Sequence, residues 1–340
     1  MSEFKISLAG QESEFACRAG DTLLRAALRS GVGLPYECNS GGCGSCKFEL
    51  LEGEVANIWE SAPGLSPRDI QKGRKLSCQS IPTTDCTIKV RPDAKAITQF
   101  RPWRMSATLS ERVMLTADMC EFRFKTERPA QFLPGQFALI DFPGVQGSRG
   151  YSMCNLPNDQ GEWHFVIKKM PNGKASGLLF EQIKVGDTLE IDGPYGLSYL
   201  CPDVPRDIVC VGGGSGLSPV LSIVRAAARD PRMAERKIYL FYGGRGPQDI
   251  CTTRLIGDDP LLRDRVINYN AVSDPELAKD SDWDGAVCFV HQLVEQTLGD
   301  RLKDYEYYFC GPPPMTDALS KTLIMENGVP FDQIHYDRFY

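Results

Sequence analysis

Four cysteines with a fixed spacing constrain this chain more than any other feature. Cys38, Cys43 and Cys46 stand in the pattern Cys-x4-Cys-x2-Cys, and Cys78 follows after 31 intervening residues. The loop that carries the first three must be tight and free of bulky side chains if four thiolates are to converge. It is made of small residues whose backbone amides can point at sulfur, namely Ser40, Gly41, Gly42, Gly44 and Ser45. The pattern therefore predicts a site where sulfur binds metal.

The cysteine spacing is that of a plant-type 2Fe-2S site. The alternatives are a zinc site or four unrelated core cysteines. Zinc sites usually pair their cysteines as two short Cys-x2-Cys units, and only Cys43 and Cys46 have that spacing here. We therefore predict that Cys38, Cys43, Cys46 and Cys78 bind a 2Fe-2S cluster. Such a one-electron centre needs a source and a destination for its electrons.

Composition limits the class of protein. A chain of 340 residues can form two or three domains. Its 13 cysteines are odd in number, which argues against a disulfide scaffold and for a reducing compartment. A net charge of -6 argues against nucleic acid as a partner. The start MSEFKISLAG lacks a basic, then apolar leader, and no run of 18 apolar residues occurs. We expect a cytoplasmic protein that binds neither nucleic acid nor membrane.

Residues 1–93 predict a small α+β domain of the β-grasp type. Alternating residues indicate strands over 4–8, 14–18, 47–51 and 87–90. Thr22 or Asp21 caps a short helix that Gly31 ends, and Ser66, Pro67 and Gly73 bracket another. Residues 94–104 contain proline and scattered charges without periodicity, so we predict a linker there.

Residues 105–205 predict an antiparallel β-barrel. The expected strands are 113–117, 121–125, 136–142, 164–169 and 188–192, with one helix at 175–183. Arg149, Tyr151 and Ser152 offer a forked cation, a flat ring and a hydroxyl, which are the groups that a flavin needs. Gly173 and Ser176 open the helix, where free N–H groups favour a phosphate. An exposed strand residue and an ordinary helix cap would explain the same residues.

Residues 206–340 predict an α/β domain with a parallel sheet. A strand at 207–211, the turn GGGSGLSP and a helix at 220–228 form an anion site able to hold a dinucleotide pyrophosphate. Leu217 stands where the usual pattern has its third glycine, so an ordinary turn is the alternative. Further strands at 237–242, 265–272 and 305–310 and a helix at 316–327 complete the alternation. For Cys310, as for most cysteines, a small buried apolar residue is the better explanation from the residues alone.

The order of these motifs resembles the ferredoxin-NAD(P)+ reductase superfamily over essentially the whole chain. The cysteine pattern, Arg149-x-Tyr151-Ser152, GPYG at 193–196, GGGSG at 212–216, CGPPPM at 310–315 and the ending DRFY carry the likeness. More narrowly, the order of domains resembles reductase components of bacterial multicomponent oxygenases, such as those of toluene monooxygenase and carbazole dioxygenase. The resemblance implies electron transfer from NADH through FAD and the 2Fe-2S cluster to a separate oxygenase, or its ferredoxin, in a transient complex.

The resemblance also implies roles for single residues. Ser152 and Cys310 would be catalytic, beside the flavin nitrogen that receives hydride and the reactive nicotinamide carbon. The chain's last residues would approach the flavin. The implied cofactor-binding residues are Arg149, Tyr151, Ser152, Lys168, Gly173, Lys174, Ser176, Gly212, Gly213, Gly214, Ser215, Gly216, Gly243, Arg245, Asp249, Cys310, Gly311, Pro312, Met315, Phe339 and Tyr340.

Two choices stay open at this point. Asp249 is placed to bind the adenosine ribose and so favours NADH, but Arg245 could instead bind the 2'-phosphate of NADPH. The acceptor could also be a non-oxygenase protein such as a deoxysugar dehydrase, or the chain could be a non-catalytic iron-sulfur protein. With only three histidines and no Cys-x-His or Glu-x-x-His pair, the chain itself is not expected to activate oxygen.

Overall fold

The computed structural model describes residues 2–338. Within them the strands form three large sheets and one two-stranded ribbon. The sheets follow one another along the chain in the predicted order: β-grasp, antiparallel barrel and parallel α/β sheet. Over the same residues, no helix is both long enough and apolar enough to cross a lipid bilayer.

The first domain is a mixed sheet with a helix on one face. Its strand order is β2-β1-β7-β3-β5, in which β1 and β7 run parallel and the other pairs antiparallel, while β4 and β6 pair separately. The predicted β-grasp fold is confirmed. The elements are β1 (Glu3–Leu8), β2 (Glu14–Arg18), α1 (Leu23–Ser30), β3 (Lys47–Glu52), β4 (Val55–Asn57), α2 (Pro67–Gln71), β5 (Arg74–Leu76), β6 (Ser80–Pro82) and β7 (Cys86–Lys89).

Both helices of this domain begin and end as the sequence predicts. The Thr22 hydroxyl accepts a hydrogen bond from the amide of Arg25, and Gly31 ends α1 in the left-handed conformation with φ 77°. Ser66 and Asp69 form a reciprocal capping box at the start of α2. These local signals are strong because each satisfies a backbone group that the helix leaves without a partner.

The second domain is an antiparallel sheet that curves into a near-barrel. Its order is β11-β10-β13-β8-β9-β12, and a bridge between Met153 and Phe165 joins the two edges. The predicted antiparallel barrel is confirmed. Its elements are β8 (Trp103–Met114), β9 (Met119–Lys125), β10 (Phe137–Asp141), β11 (Arg149–Ser152), β12 (Glu162–Lys168), α3 (Lys174–Glu181) and β13 (Thr188–Tyr195).

The strand predicted at 113–117 was placed wrongly. In the structure β8 begins ten residues earlier, at Trp103, so it takes two residues of the predicted linker at 94–104. Met105, Ala107 and Leu109 alternate with exposed residues and fill the core. The prediction missed this alternation because alanine is a weak apolar signal and prolines stand just before it.

The third domain is a parallel sheet in the order β17-β16-β15-β14-β18-β19, with helices on its faces. The predicted α/β fold is confirmed, but β19, β17 and α5 to α8 were not predicted. The elements are β14 (Asp207–Gly213), α4 (Leu217–Arg229), β15 (Ile238–Gly244), α5 (Thr252–Asp258), α6 (Pro260–Arg265), β16 (Val266–Val272), α7 (Pro275–Lys279), β17 (Ala286–Val287), α8 (Val290–Leu298), β18 (Tyr305–Gly311), α9 (Pro313–Ser320) and β19 (Ile334–Arg338).

Helix α4 fixes the third domain against the barrel. The buried Ser218 hydroxyl donates to the carbonyl of Ser152 at 2.6 Å and accepts from the amide of Val166 at 3.0 Å. One turn further, the Ser222 hydroxyl donates to the carbonyl of Asn155 at 2.7 Å. Arg225 donates to the carbonyl of Cys154 at 2.8 Å. The segment that follows β11 is therefore held by side chains of another domain.

A buried carboxylate lies in the barrel wall beside this contact. Glu121 on β9 accepts from Arg123 at 2.7 Å, and the Nδ1 atom of His164 lies 3.1 Å from the same oxygen. Burial alone would raise the pKa of Glu121, but the hydrogen bonds from His164 and Arg123 outweigh it and lower the pKa to about 2. The ionised carboxylate therefore stabilises the fold above its ordinary pKa, and this contribution is lost as the pH falls from there towards 2.

We expect Glu121→Gln to lower the free energy of unfolding at pH 7 by about 3 kcal/mol, because the pKa shift is about 2.5 units. The difference from the wild type should shrink below pH 4.5, where the unfolded-state carboxyl protonates. Urea unfolding at pH 7 and at pH 3.5 measures both. Glu162→Gln, which alters a half-exposed neighbour of His164, is the control and should change little. Equal destabilisation at both pH values would contradict the assignment.

Candidate functional site

One cavity of about 1740 Å3 runs between the three domains. Its walls include Cys38 and Cys43 from the first domain, Tyr151 from the barrel, and Gly214 and Asp249 from the parallel sheet. The cavity therefore joins the regions where the sequence predicts a cluster, a flavin and a dinucleotide. The other predicted site residues on its wall are Arg149, Ser152, Lys168, Gly173, Lys174, Ser176, Gly213, Ser215, Gly243, Arg245, Pro312 and Met315.

The cysteine loop points backbone amides at sulfur. The amides of Ser40 and Cys43 lie 3.5 and 3.4 Å from the Cys38 sulfur, and the amide of Ser45 lies 3.4 Å from the Cys43 sulfur. Gly41 and Gly44 have φ values of 93° and 79°, which other residues rarely adopt. Such N–H donors stabilise negative charge on sulfur, as a thiolate cluster requires.

The four cysteines lie in two pairs. Cys46 and Cys78 are buried with their sulfurs 3.3 Å apart, and the amide of Cys43 lies 3.4 Å from the Cys38 sulfur. Two irons that each take their own pair of thiolates would suit this arrangement. The donor set fits a 2Fe-2S cluster.

Strand β11 carries the predicted flavin-binding side chains to the cavity. Arg149, at the start of the strand, is exposed, and Ser152, at its end, is buried. The Arg149 guanidinium donates to the carbonyls of residues 146, 147 and 148 at 3.1 to 3.3 Å. The Tyr151 ring meets Phe142 edge to face, and burial raises the pKa of Tyr151 to about 12. A neutral, immobilised phenol beside a forked cation fits a flavin and its pyrophosphate.

The start of α3 forms the other wall of this region. Gly173 is its N-cap, and a side chain there would come within 2.5 Å of the Ser176 hydroxyl. That hydroxyl accepts from the amide of Met170 and donates to the carbonyl of Gly173, so it closes the turn. Lys174 begins the helix, and Lys168 pairs with Asp118 at 3.1 Å. Cationic side chains and free amides at a helix start suit a phosphate.

The glycine turn after β14 packs directly on the start of α9. A side chain on Gly213 would lie 2.5 Å from the Met315 sulfur, and one on Gly216 would overlap the carbonyl of Cys310. Gly214 has φ 55°. Leu217, at the place of the usual third glycine, begins α4 and is completely buried. The turn therefore needs glycine for its contact with the 310–315 loop and exposes its 213–215 backbone to the cavity.

One oxygen of the Asp249 carboxylate is already hydrogen-bonded to the backbone. Its Oδ2 atom accepts from the amides of Arg245 and Gly246 at 2.9 and 3.1 Å, which closes the turn after β15. The carboxylate lines the cavity, and the exposed Arg245 stands beside it. The structure thus brings both candidate nucleotide-selecting residues to one place at the carboxyl edge of the sheet.

Some predicted site residues do not reach the cavity. Cys310 is 2% exposed and packs in the core with Leu217 and Tyr242, and Gly212, Gly216 and Gly311 lie behind the wall. The prediction for Phe339 and Tyr340 concerns residues outside those that the structure describes.

The cavity also contains residues that the sequence analysis did not single out. Asp337 on β19 pairs in register with Cys310, and burial, with a further contribution from Glu37, raises the pKa of Asp337 to about 7. Phe289, the N-cap residue of α8, and His291 on that helix stack on one another and also line the cavity. Local pattern gave no signal for Asp337, because β19 is an edge strand without strong alternation, and α8 was not predicted. The motif DRFY contained Asp337 but gave it no role.

Comparison with known proteins agrees with this division of the site. Residues 6–83 match the 2Fe-2S iron-sulfur cluster binding domain. Residues 106–199 match the oxidoreductase FAD-binding domain, and residues 210–321 match the oxidoreductase NAD-binding domain. The predicted set of cofactors, a 2Fe-2S cluster, FAD and a nicotinamide dinucleotide, is confirmed, and the chain is an oxidoreductase.

Similar proteins span the whole chain. Ferredoxin–NAD(P)+ reductase CarAd of Metapseudomonas resinovorans is 43% identical over 99% of this chain and 100% of its own length. The ferredoxin–NAD+ reductase component of the alkene monooxygenase system of Xanthobacter autotrophicus is 37% identical over 96% of this chain and 97% of its own.

A solved structure has the same arrangement of domains. The ferredoxin reductase in carbazole 1,9a-dioxygenase superposes with a TM-score of 0.91 at 42% identity, covering 100% of this chain and 99% of its own. The chain therefore belongs to the ferredoxin–NAD(P)+ reductase family that joins 2Fe-2S, FAD-binding and NAD-binding domains in one polypeptide, and that includes reductase components of oxygenase systems.

Proposed function

We propose that this protein oxidises NADH and delivers the electrons singly, through FAD and its 2Fe-2S cluster, to a separate oxygenase component or the ferredoxin of that component. The observation that supports this most is the shared cavity, to which all three domains contribute walls. FAD supplies the conversion of one hydride into two single electrons. The remaining steps depend on residues of this chain that bind, orient and shield the cofactors.

For the cluster, we assign one iron to Cys38 and Cys43 and the other to Cys46 and Cys78. The close pairing of these sulfurs and the amides directed at Cys38 and Cys43 support the assignment. The second pair is buried, and the first lies on the cavity wall. Electrons would therefore enter from the side of Cys38 and Cys43, which faces the flavin-binding wall.

For FAD, we assign the pyrophosphate to Arg149 and the start of α3, and the ring to Tyr151 and Ser152. Ser218 supports this by holding the carbonyl of Ser152 in place. This hydrogen bond between α4 and the end of β11 would help to fix the distance between the ring and the nicotinamide. That distance matters because hydride transfer needs reacting atoms about 3 to 3.5 Å apart.

For the nucleotide, we assign the pyrophosphate to residues 213–215 and the adenosine ribose to Asp249. A carboxylate at the ribose would repel the additional phosphate of NADPH, which favours NADH. Cys310 would support the glycine turn from behind, because its side chain is buried in the core. We propose domain limits of 1–93 for the iron-sulfur domain, 94–104 for the linker, 105–205 for the FAD-binding domain and 206–340 for the NAD-binding domain. The first strand of the barrel, β8, begins within that linker at Trp103.

The two relatives that belong to oxygenase systems support an oxygenase as the destination. We propose that the complex with it is transient and that the protein is cytoplasmic. A non-oxygenase acceptor such as a deoxysugar dehydrase is the alternative, and transfer assays with each kind of partner separate the two. A non-catalytic iron-sulfur protein would need neither the FAD-binding nor the NAD-binding domain.

Anaerobic mixing of the purified protein with NADH in a stopped-flow spectrophotometer tests the proposed order. We expect flavin bleaching first and loss of the cluster's visible absorbance second, because only the flavin accepts hydride. NADPH should bleach the flavin more slowly. A loaded cluster that is never reduced after the flavin, or a protein that purifies without flavin, would contradict the proposal.

Cys78→Ser should prevent stable assembly of the cluster, because one iron loses a thiolate, while NADH still reduces the flavin. Iron and sulfide analysis and the visible spectrum measure the loss. Cys86→Ser is the matched control, since Cys86 is a buried cysteine of the same domain whose sulfur contacts the carbonyls of Glu54 and Thr84. Normal iron content in the Cys78 variant would refute the ligand assignment.

Asp249→Asn should lower kcat/KM for NADH by about ten- to a hundredfold, because a hydrogen bond to a charged group contributes about 1.5 to 3 kcal/mol. The amide oxygen of asparagine can still accept from the backbone of the 245–249 turn. Steady-state kinetics with NADH and NADPH should show the NADPH value unchanged or raised. Arg245→Ala serves as the comparison and should leave NADH unaffected; the opposite pattern would assign selection to Arg245.

A further inference from the structure

The first domain and the barrel share a continuous apolar core. Phe137, Leu139 and Tyr195 of the barrel are buried in the same cluster as Leu28 and Tyr36 of the first domain. Apolar contact of this kind is strong but has no preferred direction. It holds the domains together without fixing how one is rotated on the other.

A buried ion-pair network crosses the same interface. The guanidinium of Arg29, at the end of α1, contacts Asp21 Oδ2 at 2.7 Å within its own domain and Asp192 Oδ2 at 2.5 Å on β13. The side chain of Asp192 is 3% exposed and that of Arg29 is 24% exposed. The hydroxyl of Tyr195 donates to the other oxygen of Asp192 at 2.9 Å. We call these four residues the Arg29 network.

The Arg29 network is connected through Tyr36 to the loop that carries Cys38, Cys43 and Cys46. The Tyr195 ring meets the Tyr36 ring edge to face, with centroids 6.4 Å apart. The hydroxyl of Tyr36 accepts from the amide of Gly196 at 3.1 Å. Tyr36 stands two residues before Cys38, one of the assigned cluster ligands. Two packed rings therefore connect Asp192 with the segment just before the loop that holds the cluster.

Ion pairs with forked geometry are directional in a way that apolar contact is not. Both oxygens of Asp192 have partners, so loss of Arg29 would leave a buried carboxylate without its counter-charge. A shift of the domains that lets water reach Asp192 would relieve that penalty. Such a shift would change the distance between the flavin site and Cys38, and single-electron transfer falls steeply with distance.

We propose that Arg29 and Asp192 are positioning residues that set the orientation of the iron-sulfur domain for electron transfer from flavin to cluster. The inference rests on the proposed function, since it concerns the second step of that relay. It separates this step from the first, because neither Arg29 nor Asp192 lines the shared cavity. Asp192 pairs with Leu139 on β10, so one strand separates it from the flavin-binding strand β11.

The test uses the full-length protein with FAD and cluster loaded, and the variants Arg29→Met and Asp192→Asn. In anaerobic stopped-flow with NADH, flavin reduction and its dependence on NADH concentration should match the wild type. Cluster reduction should be severalfold slower than in the wild type, because the rate of single-electron transfer falls as the distance between donor and acceptor grows. The electron paramagnetic resonance spectrum of the chemically reduced cluster should stay unchanged.

Two further variants keep the test decisive if Arg29→Met folds poorly. Arg29→Lys retains one charge-assisted contact and should recover part of the rate. Tyr195→Phe removes only the hydroxyl that holds Asp192 and should slow cluster reduction less than Asp192→Asn. Lys5→Met, which breaks an exposed ion pair of the same domain, is the matched control and should transfer electrons normally.

Cluster reduction at the wild-type rate in Arg29→Met and Asp192→Asn, or in Tyr195→Phe and Asp192→Asn if the first does not fold, would overturn the inference. Equal slowing of flavin and cluster reduction would also overturn it, because that result indicates general structural damage. Failure of the wild type to reduce its cluster would instead contradict the proposed function. The two failures are thus distinguishable in one set of traces.

Discussion

The site depends on the hydrogen bonds by which α4 holds the backbone of the barrel. Ser218 accepts from the amide of Val166 and donates to the carbonyl of Ser152, so one hydroxyl connects β12, the end of β11 and the glycine turn. A net contribution of about 0.5 to 1.5 kcal/mol for each such bond is modest. Its importance is geometric, because the flavin-binding strand and the nucleotide-binding turn become parts of one rigid assembly.

The glycine turn shows why the nucleotide wall tolerates so little change. Gly213 faces the Met315 sulfur, and Gly216 faces the carbonyl of Cys310 from the neighbouring strand. A side chain at Gly216 would overlap the backbone of β18, which pairs in register with β14 from Asp207 to Gly212, whereas one at Gly213 would have to displace the side chain of Met315. The same close approach leaves Cys310 behind the wall, where its sulfur contributes to the core.

Charges are arranged differently at the two domain interfaces. Between the barrel and the parallel sheet, neutral hydroxyls and Arg225 contact backbone carbonyls. Between the iron-sulfur domain and the barrel, the polar contacts include an ion pair that is mostly buried. The first kind of contact adds little desolvation cost, whereas the second is costly unless its geometry is kept. The iron-sulfur domain is therefore the part whose orientation is fixed by electrostatics.

Much of the fold followed from local pattern. The caps at Thr22 and Ser66, the strands at 121–125 and 207–211, and the glycine turns were predictable because each satisfies a backbone requirement within a few residues. The start of β8 was missed because Ala107 is a weak apolar signal, and β19 because it is held at a sheet edge by pairing with β18 rather than by its own alternation. The cysteine ligands were the strongest prediction of all, since their spacing belongs to one kind of centre.

By itself, the sequence determined the three domains, their order, and the chemical groups available for a cluster, a flavin and a dinucleotide. Only the tertiary structure decided which of these groups share a space. It placed Asp337 opposite Cys310, buried Cys310 away from the cavity, and joined Arg29 to Asp192 across 163 residues. The physical reason is that spacing encodes local geometry, while contacts between distant segments depend on how whole sheets and helices pack.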